Sequence, residues 1–309
     1  MNAMQGEIRA RLPQRLVVAV DADALSDCAI ETGVELARLF GARVELVHAF
    51  WSSILGTEYV EDPRKIAGGS DLSSAVTQSV LAHVRDVLAA SKSTLRAEDV
   101  LRVTPGLPAR VLLDRVRETK ADLLVLGSLR KRPVVDFGST ARSILAKAPC
   151  PVLVQPAPRG TIRRILVPVD LSTESMLALA TACAWAKPLN ARVHALHCFD
   201  TSVAMAGATW AGIAVAGAID ELAKLSQREF ETAMAAFDWG GVEHEITFVE
   251  GVPVARIQAE AKSADMIAMG THGRTGFAAA LLGSVAYSVL KHATKPVLVV
   301  RDPHRAFEP

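Results

Sequence analysis

The feature that most constrains this chain is an internal duplication. Three short runs of the first half recur in the same order in the second: RLVVAVD at 15–21 as RILVPVD at 164–170, ADLLVLG at 121–127 as ADMIAMG at 264–270, and APCPVLV at 148–154 as ATKPVLV at 293–299. Solenoid repeats have periods of roughly 20–50 residues, so a repeat of half the chain is a whole domain. The sequence therefore predicts two copies of one domain, 1–156 and 161–309, joined by the Pro/Gly stretch QPAPRG.

Each copy alternates short apolar runs with longer segments of helical period. Short Val/Ile/Leu runs bounded by polar residues are typical of strands buried on both faces of a parallel sheet, and parallel strands need crossover connections. For the second copy the pattern predicts strands near 163–169, 191–198, 243–250, 265–270 and 296–301, and helices near 173–187, 218–237, 253–262 and 283–292. This alternation is typical of Rossmann-like α/β domains, each a parallel sheet flanked by helices.

Two details of this pattern can be checked directly. The third predicted strand of the second copy, EHEITFVE, alternates most regularly and should lie near a sheet edge. On the helix 218–237, helical spacing should place five apolar side chains on roughly one face: Leu222, Leu225, Phe230, Met234 and Phe237.

Composition and charge exclude several classes of protein. Lys and Arg total 34 against 33 Asp and Glu, a net charge of +1, and neither half has the basic surface that nucleic-acid binding needs. The four cysteines are far apart and form no C-x-x-C pair, which argues against a disulfide framework and a structural zinc site. The first residues contain no apolar core of signal-peptide length. We therefore expect a cytoplasmic protein with reduced thiols.

One uncharged segment, 201–219, is long enough to raise the question of a membrane span, since about 20 apolar residues can cross a bilayer. Most of its residues are Ala and Gly, and Asp200 and Asp220 flank it without a Lys or Arg anchor. We expect no membrane span here. A lid, a packed helix or an adhesive surface patch is the favoured interpretation.

A ligand site is expected beyond the carboxyl ends of the strands, as in other open α/β sheets. In the second copy, strand four runs into a G-x2-G-x9-G-S motif that ends at Gly283-Ser284, whereas a P-loop and a G-x-G-x-x-G after strand one are absent from the sequence. Glycine lets the backbone approach a ligand closely, and the N–H groups of a helix start suit phosphate. Asp170, after strand one, can accept hydrogen bonds from ribose hydroxyls. Its alternative role, and that of Asp21, is to cap the next helix.

Taken in order, these motifs resemble those of the universal stress protein family. The run VPVD-S, LH, GVP, ADMIAMGTHGR, GSVA and PVLVV covers nearly all of the second half, and the first half follows the same order. The resemblance implies a five-stranded parallel sheet per domain and an ATP-type nucleotide in the C-terminal domain, with ADP or AMP as alternatives and a divalent metal ion beside the phosphates. In that family the last strand pairs two domains, which predicts an intramolecular pseudo-dimer; a homo-dimer of two chains is a further expectation.

The resemblance also assigns nucleotide contacts residue by residue. Contacts to adenine and ribose are implied for Pro168, Val169, Asp170 and Cys198. Contacts to ribose and phosphates are implied along the strand-four loop and the following helix start, at Met269, Gly270, His272, Gly273, Gly283, Ser284, Val285 and Ala286. Family members often have Thr at the position of Ala286, so one hydroxyl contact is expected to be missing.

The first copy departs further from the motif. It keeps Asp21 and the helix start Gly138-Ser139-Thr140, but Arg130 stands where the second glycine is expected. Its loop is also shorter, since 11 positions separate Gly127 from Gly138 and 13 separate Gly270 from Gly283. We expect the first copy to have lost its nucleotide site.

The remaining candidates suggest no catalytic or metal-binding residue. His194 and His197 are three apart on a strand and face opposite sides, so they cannot chelate one metal. His272 could act as a general base of a slow ATPase, but no carboxylate pair or metal cluster accompanies it, and we expect its backbone to shape the turn. The leading hypothesis is an ATP-dependent regulator of the stress response. The alternatives are an interaction or scaffold protein that uses 201–219, and a slow ATPase.

Overall fold

A computed structural model of the chain describes residues 10–21, 24–50, 69–128, 138–158, 160–202, 215–272 and 282–301. The loops that contain Arg130 and Gly273, and most of the segment 201–219, lie outside the described residues. The chain forms two compact units: one spans Pro13–Arg159, and the other contains Gly160–Pro309. Within the described part, no helix is both long and apolar enough to cross a bilayer.

The first unit alternates strands and helices from its first residues. Its elements are β1 (Arg15–Val20), α1 (Asp27–Phe40), β2 (Arg43–Phe50), α2 (Gly69–Ala90), α3 (Ala97–Val100), β3 (Leu101–Pro105), α4 (Pro108–Thr119), β4 (Leu123–Leu126), α5 (Ser139–Lys147) and β5 (Val152–Val154). The strands lie side by side in the order β3-β2-β1-β4-β5, and every neighbouring pair is parallel.

The second unit repeats this plan. Its elements are β6 (Arg164–Pro168), α6 (Thr173–Leu189), β7 (Arg192–Phe199), α7 (Val215–Ala236), β8 (His244–Glu250), α8 (Pro253–Glu260), β9 (Met266–Gly270), α9 (Ser284–Lys291) and β10 (Val297–Val300). The order is β10-β9-β6-β7-β8, again with parallel neighbours. The predicted parallel α/β fold is confirmed, and the alternating strand β8 lies at an edge of the order, as expected.

The apolar runs form the core because both faces of each sheet are covered by helices. Ile165, Leu166 and Val167 of β6 are all fully buried, and Trp185 of α6 packs against the sheet with only 1% of its surface exposed. Consecutive buried residues are typical of parallel strands, whose two faces are both inaccessible to water.

The predicted face of α7 was wrong in part. Phe230 and Met234 are buried, but the side chains of Leu222 and Leu225 are 46% and 57% exposed. Leu225 lies five residues before Phe230, which is about 140° around a helix of 3.6 residues per turn, so the two cannot share one face. The buried stripe runs instead through Ala223, seven residues before Phe230.

A buried histidine forms a polar cluster on β7. The Nδ1 atom of His194 lies 2.8 Å from an Arg164 guanidinium nitrogen, and its Nε2 atom lies 2.9 Å from the Thr247 hydroxyl. Glu245 is paired with Arg164 at 3.0 Å. Burial lowers the pKa of His194 below its ordinary value of 6.5, and the carboxylate of Glu245 opposes this while the charge of Arg164 adds to it.

Candidate functional site

The carboxyl ends of β6, β7 and β9 meet at one edge of the second sheet. Their registers are fixed by pairs of opposite residues: Leu166 with Ile267 between β6 and β9, and Pro168 with Leu196 between β6 and β7. Continued past the strand ends, these registers bring Asp170 level with Thr271 on one side and with Cys198 on the other. Neighbouring strands are about 4.8 Å apart. The strands that follow β6 first add to one side of it, as β7 and β8, and then to its other side, as β9 and β10. The edge beyond the carboxyl end of β6 is therefore the switch point, where open α/β sheets bind ligands.

Asp170 supports the start of α6 but is not its cap. One of its carboxylate oxygens accepts a hydrogen bond from the Ser172 N–H at 3.0 Å and another from the Ser172 hydroxyl. Ser172 is the N-cap, since its hydroxyl oxygen accepts from the Ser175 N–H at 3.2 Å. Between them, Leu171 has a φ of +64°, which turns the chain sharply after the strand. The expectation that Asp170 itself caps the next helix is therefore wrong, and Asp170 instead holds the capping serine.

A buried carboxylate anchors the strand-four loop. Glu174, in the first turn of α6, is 4% exposed. Its Oε2 atom accepts hydrogen bonds from the His272 backbone N–H at 2.6 Å and from the Thr271 hydroxyl at 3.1 Å. Burial lowers the pKa of Arg301 below its ordinary value, and the charge of the Glu174 carboxylate opposes this in part. The first two residues after β9 are thus fixed to the helix that follows β6.

The two glycines of the motif that the structure describes, Gly270 and Gly283, stand where a side chain would collide with neighbouring atoms. A Cβ atom added to Gly270 would lie 2.9 Å from the Glu174 Cβ atom and 3.1 Å from the Ser175 nitrogen. Gly283 donates its N–H to the Thr271 carbonyl oxygen at 2.8 Å, and an added Cβ would lie 3.0 Å from that oxygen. The motif glycines therefore let the strand-four loop approach α6 on one side and the start of α9 on the other.

The other predicted contact residues lie around the same edge. Val169, Met269 and Ala286 are buried, and Cys198 is half-buried at the end of β7. Ser284 is exposed at the first turn of α9, whereas Pro168, Gly270 and Val285 are half-buried. His272 is 8% exposed, and its Nδ1 atom lies 3.1 Å from the Thr271 hydroxyl. Gly273 lies outside the described residues.

The chemistry of the described residues suits binding more than catalysis. Burial raises the pKa of the Cys198 thiol to about 12, so this sulfur is a protonated, weakly polar surface and not a nucleophile. Within the described ranges no group of three or more His, Cys, Asp and Glu side chains could hold a metal ion. The first N–H groups of any helix have no acceptor within that helix, so the start of α9 presents backbone donors and the positive end of the helix dipole.

The first unit keeps a cavity at the corresponding place. A space of about 290 Å³ lies between the carboxyl ends of β1, β2 and β4 and the start of α5. Asp21, Gly127, Gly138, Ser139 and Thr140 contribute to its wall. Its volume is at the lower end of the range for small-molecule pockets. Leu25 occupies the position that Glu174 has in the second unit, so this unit has no matching carboxylate to anchor its strand-four loop.

A larger cavity of about 600 Å³ lies at the opposite end of the second sheet, beside the amino ends of β6 and β7. Arg163, Lys187, Arg192 and Asp265 are among its lining residues. The Asp265 carboxylate accepts from the Arg163 N–H at 2.8 Å, which caps the start of the strand. Since ligands of open α/β sheets bind at carboxyl ends, volume alone does not make this cavity the nucleotide site.

The sequence pattern did not predict three features of this site: Glu174, Ser175 and the hydrogen bond of His197. The His197 Nδ1 atom lies 2.7 Å from the Val169 carbonyl oxygen. A signal was present in the duplication, because His48 in HAF corresponds to His197 in HCF, and both are followed by an aromatic residue two positions later. Glu174 has no such signal, since the first copy has a leucine there.

The chain is similar to known proteins over both units. The model of the Universal stress protein family matches residues 13–156 and 161–301. A universal stress protein of Methanocaldococcus jannaschii is 37% identical over 150 residues, which cover 46% of this chain and 84% of the relative. A universal stress protein of Mycolicibacterium smegmatis is 26% identical over 311 residues, which cover 93% of this chain and 96% of the relative.

Solved structures agree with this likeness. A universal stress protein from Archaeoglobus fulgidus has 18% identity and a TM-score of 0.66, covering 93% of this chain and 98% of its own. At that identity the likeness shows the fold alone. Another solved universal stress protein, 19% identical with a TM-score of 0.34, covers 47% of this chain and is in complex with cAMP.

Proposed function

Because the chain belongs to the universal stress protein family, we propose that its second unit binds ATP and that the protein acts as a nucleotide-dependent regulator in the stress response. ADP and AMP are the alternative ligands. The observation that carries the proposal is the contact between the two ends of the glycine motif, where the Gly283 N–H donates to the Thr271 carbonyl at 2.8 Å. This contact sets a helix start beside the carboxyl ends of three strands, which is the arrangement that nucleotide sites of α/β proteins use.

Each part of the nucleotide has a candidate partner. Adenine would lie against Pro168, Val169 and the protonated thiol of Cys198, and the ribose hydroxyls would donate to Asp170. The phosphates would accept hydrogen bonds from the N–H groups at the start of α9, near Gly283, and Ser284 would add an exposed hydroxyl there. A divalent metal ion would accompany the phosphates as part of the bound nucleotide.

The environment of His272 supports binding without rapid hydrolysis. Its backbone N–H is held by Glu174, and its buried ring lies beside the Thr271 hydroxyl. A general base must reach the proton that it abstracts, and this ring is engaged inside the loop. We therefore favour a structural role for His272 over the slow ATPase alternative. The variant His272→Ala separates the two, because a catalyst would lose hydrolysis and retain ATP binding.

The first test is to denature the purified protein and identify released nucleotide by chromatography and mass spectrometry. One nucleotide per chain is expected. Added ATP at about 100 times its Kd should stabilise the fold by about 2.7 kcal/mol. Gly273→Ala and Gly283→Ala should weaken ATP binding by about tenfold or more and so reduce this stabilisation by about half or more. Two nucleotides per chain would overturn the expected loss of the first site. No released nucleotide together with no thermal shift would overturn nucleotide binding altogether.

A second candidate function is protein interaction through the beginning of α7. Leu222 and Leu225 lie one helical turn apart with about half of their surfaces exposed, next to the uncharged segment 201–219. Exposed neighbouring leucines are a feature of partner-binding surfaces. If this is the function, Leu222→Ser with Leu225→Ser removes partner binding and the glycine variants do not.

We further propose a cytoplasmic location, which four free cysteines support. The intramolecular pseudo-dimer and the homo-dimer stay predictions. Light scattering coupled to size-exclusion chromatography tests the homo-dimer by giving the mass of the assembly directly.

A further inference from the structure

The peptide group that joins Val169 to Asp170 is held by side chains at both of its polar atoms. On the carbonyl side, the Nδ1 atom of His197 lies 2.7 Å from the Val169 oxygen. A carbonyl oxygen can only accept, so Nδ1 carries the proton and donates. On the amide side, the Asp170 N–H donates to the Ser175 hydroxyl oxygen at 3.3 Å. This peptide lies just past the end of β6 and directly after the Val169 N–H, which still donates to the Leu196 carbonyl oxygen at 2.9 Å.

The histidine ring is itself rigidly placed. It is 6% exposed and stacks with two phenylalanines, with ring centroids 5.1 Å from Phe230 and 5.5 Å from Phe248. Its Nε2 atom lies 3.1 Å from the Ser226 hydroxyl. A ring that stacks with two aromatic side chains and has a polar partner at each nitrogen cannot rotate without losing several contacts. It is therefore a fixed donor for the Val169 carbonyl.

The first unit contains the same arrangement. The Nδ1 atom of His48 lies 2.9 Å from the Val20 carbonyl oxygen, and the Asp21 N–H donates to the Ser26 hydroxyl at 2.9 Å. Both copies thus contain the histidine and the serine that bond this peptide, although only the second copy contains the complete glycine motif. In both units it fixes the peptide directly before an aspartate that follows the first strand.

We propose that His197 and Ser175 are positioning residues, which set the plane of the Val169–Asp170 peptide and so direct Asp170 toward the ribose hydroxyls of the bound nucleotide. This inference rests on the proposed function of the second unit. The direction of an aspartate side chain depends on the backbone angles on either side of its Cα atom. On the other side, Leu171 turns the chain with a φ of +64°, and the Ser172 N–H and hydroxyl donate to an Asp170 carboxylate oxygen. The peptide before Asp170 and the serine after it therefore hold the aspartate together, and His197 and Ser175 act on the peptide.

The test measures the preference for ribose hydroxyls, because a general loss of stability does not change it. We would determine the Kd of the full-length protein for ATP and for 2′,3′-dideoxy-ATP. A hydrogen bond to a charged group is worth roughly a tenfold or larger difference in affinity, so the wild-type protein should prefer ATP by about tenfold or more. In His197→Leu this ratio should fall to near one.

Three variants complete the design. His197→Asn keeps an N–H donor at the position of Nδ1 and should retain most of the preference. His48→Leu removes the equivalent bond from the first unit, and should lower the melting temperature as His197→Leu does while the ratio stays at the wild-type value. Ser175→Ala is a smaller change, which should lower the ratio even if His197→Leu does not fold.

The outcomes separate the inference from its premise. If the wild-type protein binds neither nucleotide, the proposed function fails. If it binds both equally, Asp170 does not contact the ribose, and the inference is wrong while nucleotide binding stands. If the wild-type protein prefers ATP and His197→Leu or Ser175→Ala shows the same ratio, the inference is also wrong.

Discussion

Replacing Gly283 by alanine should damage the second unit, whereas the same change at Gly138 should not. Both glycines are the N-cap residues of helices, α9 and α5, with φ values of −63° and −59° that alanine can adopt. They differ in their surroundings. An added Cβ at Gly283 would lie 3.0 Å from the Thr271 carbonyl oxygen, and one at Gly138 would have no atom of the described residues within 4 Å.

The expected difference in free energy of unfolding between the two variants comes from the contributions that only one of them has. Alanine stabilises either site by about 0.4–1 kcal/mol through the unfolded chain, and loses a comparable amount because glycine is the better N-cap. These contributions cancel in the comparison. What remains is the crowding at Gly283, and overpacking of this kind costs about 1–3 kcal/mol. A shift of α9 by a few tenths of an ångström would also move its N–H groups away from the place proposed for the nucleotide phosphates.

The assay is urea denaturation of the full-length protein, followed by titration with ATP. Gly138→Ala should stay within about 1 kcal/mol of the wild-type free energy of unfolding and bind ATP normally. Gly283→Ala should be less stable than Gly138→Ala by about 1–3 kcal/mol and bind ATP at least about tenfold more weakly. Equal stability and equal affinity of the two variants would refute the reasoning, because the Thr271 carbonyl would then move away from the added Cβ atom with no loss of free energy.

Two further predictions concern buried groups. Glu174→Leu leaves the His272 N–H and the Thr271 hydroxyl without their acceptor, and should lower the free energy of unfolding by about 1–3 kcal/mol in urea, while Glu174→Gln recovers part of the loss. The lowered pKa of His194 means that the unfolded chain takes up its proton first as the pH falls, so the protein should lose stability below about pH 6.5. Melting temperatures of His194→Gln should depend less on pH over this range, and equal slopes would contradict the assignment.

The sequence alone predicted the elements closely, because strands buried on both faces leave continuous apolar runs. The run near 265–270 became β9 at Met266–Gly270, and the run near 191–198 became β7 at Arg192–Phe199. The duplication then carried the same fold to both halves. Helix α7 shows the limit of this approach. Its bounds were close, but its leucines misled the choice of face, because an apolar residue can lie on an exposed side when a neighbouring stripe fills the core.

The candidate site also has a part that the sequence predicts and a part that only the structure shows. Gly270, Gly283 and Asp170 could be located from spacing, since a motif records which residues must be small or acidic near the strand ends. Their contacts could not be located in this way. Glu174 reaches His272 across 98 positions of sequence, and His197 reaches the Val169 carbonyl on a neighbouring strand. The local sequence thus determined where the strands, the helices and the motif glycines lie, because these features depend on residues that are close in sequence. The folded chain alone decided which buried side chain completes each backbone hydrogen bond, because only tertiary packing brings distant donors and acceptors within 3 Å.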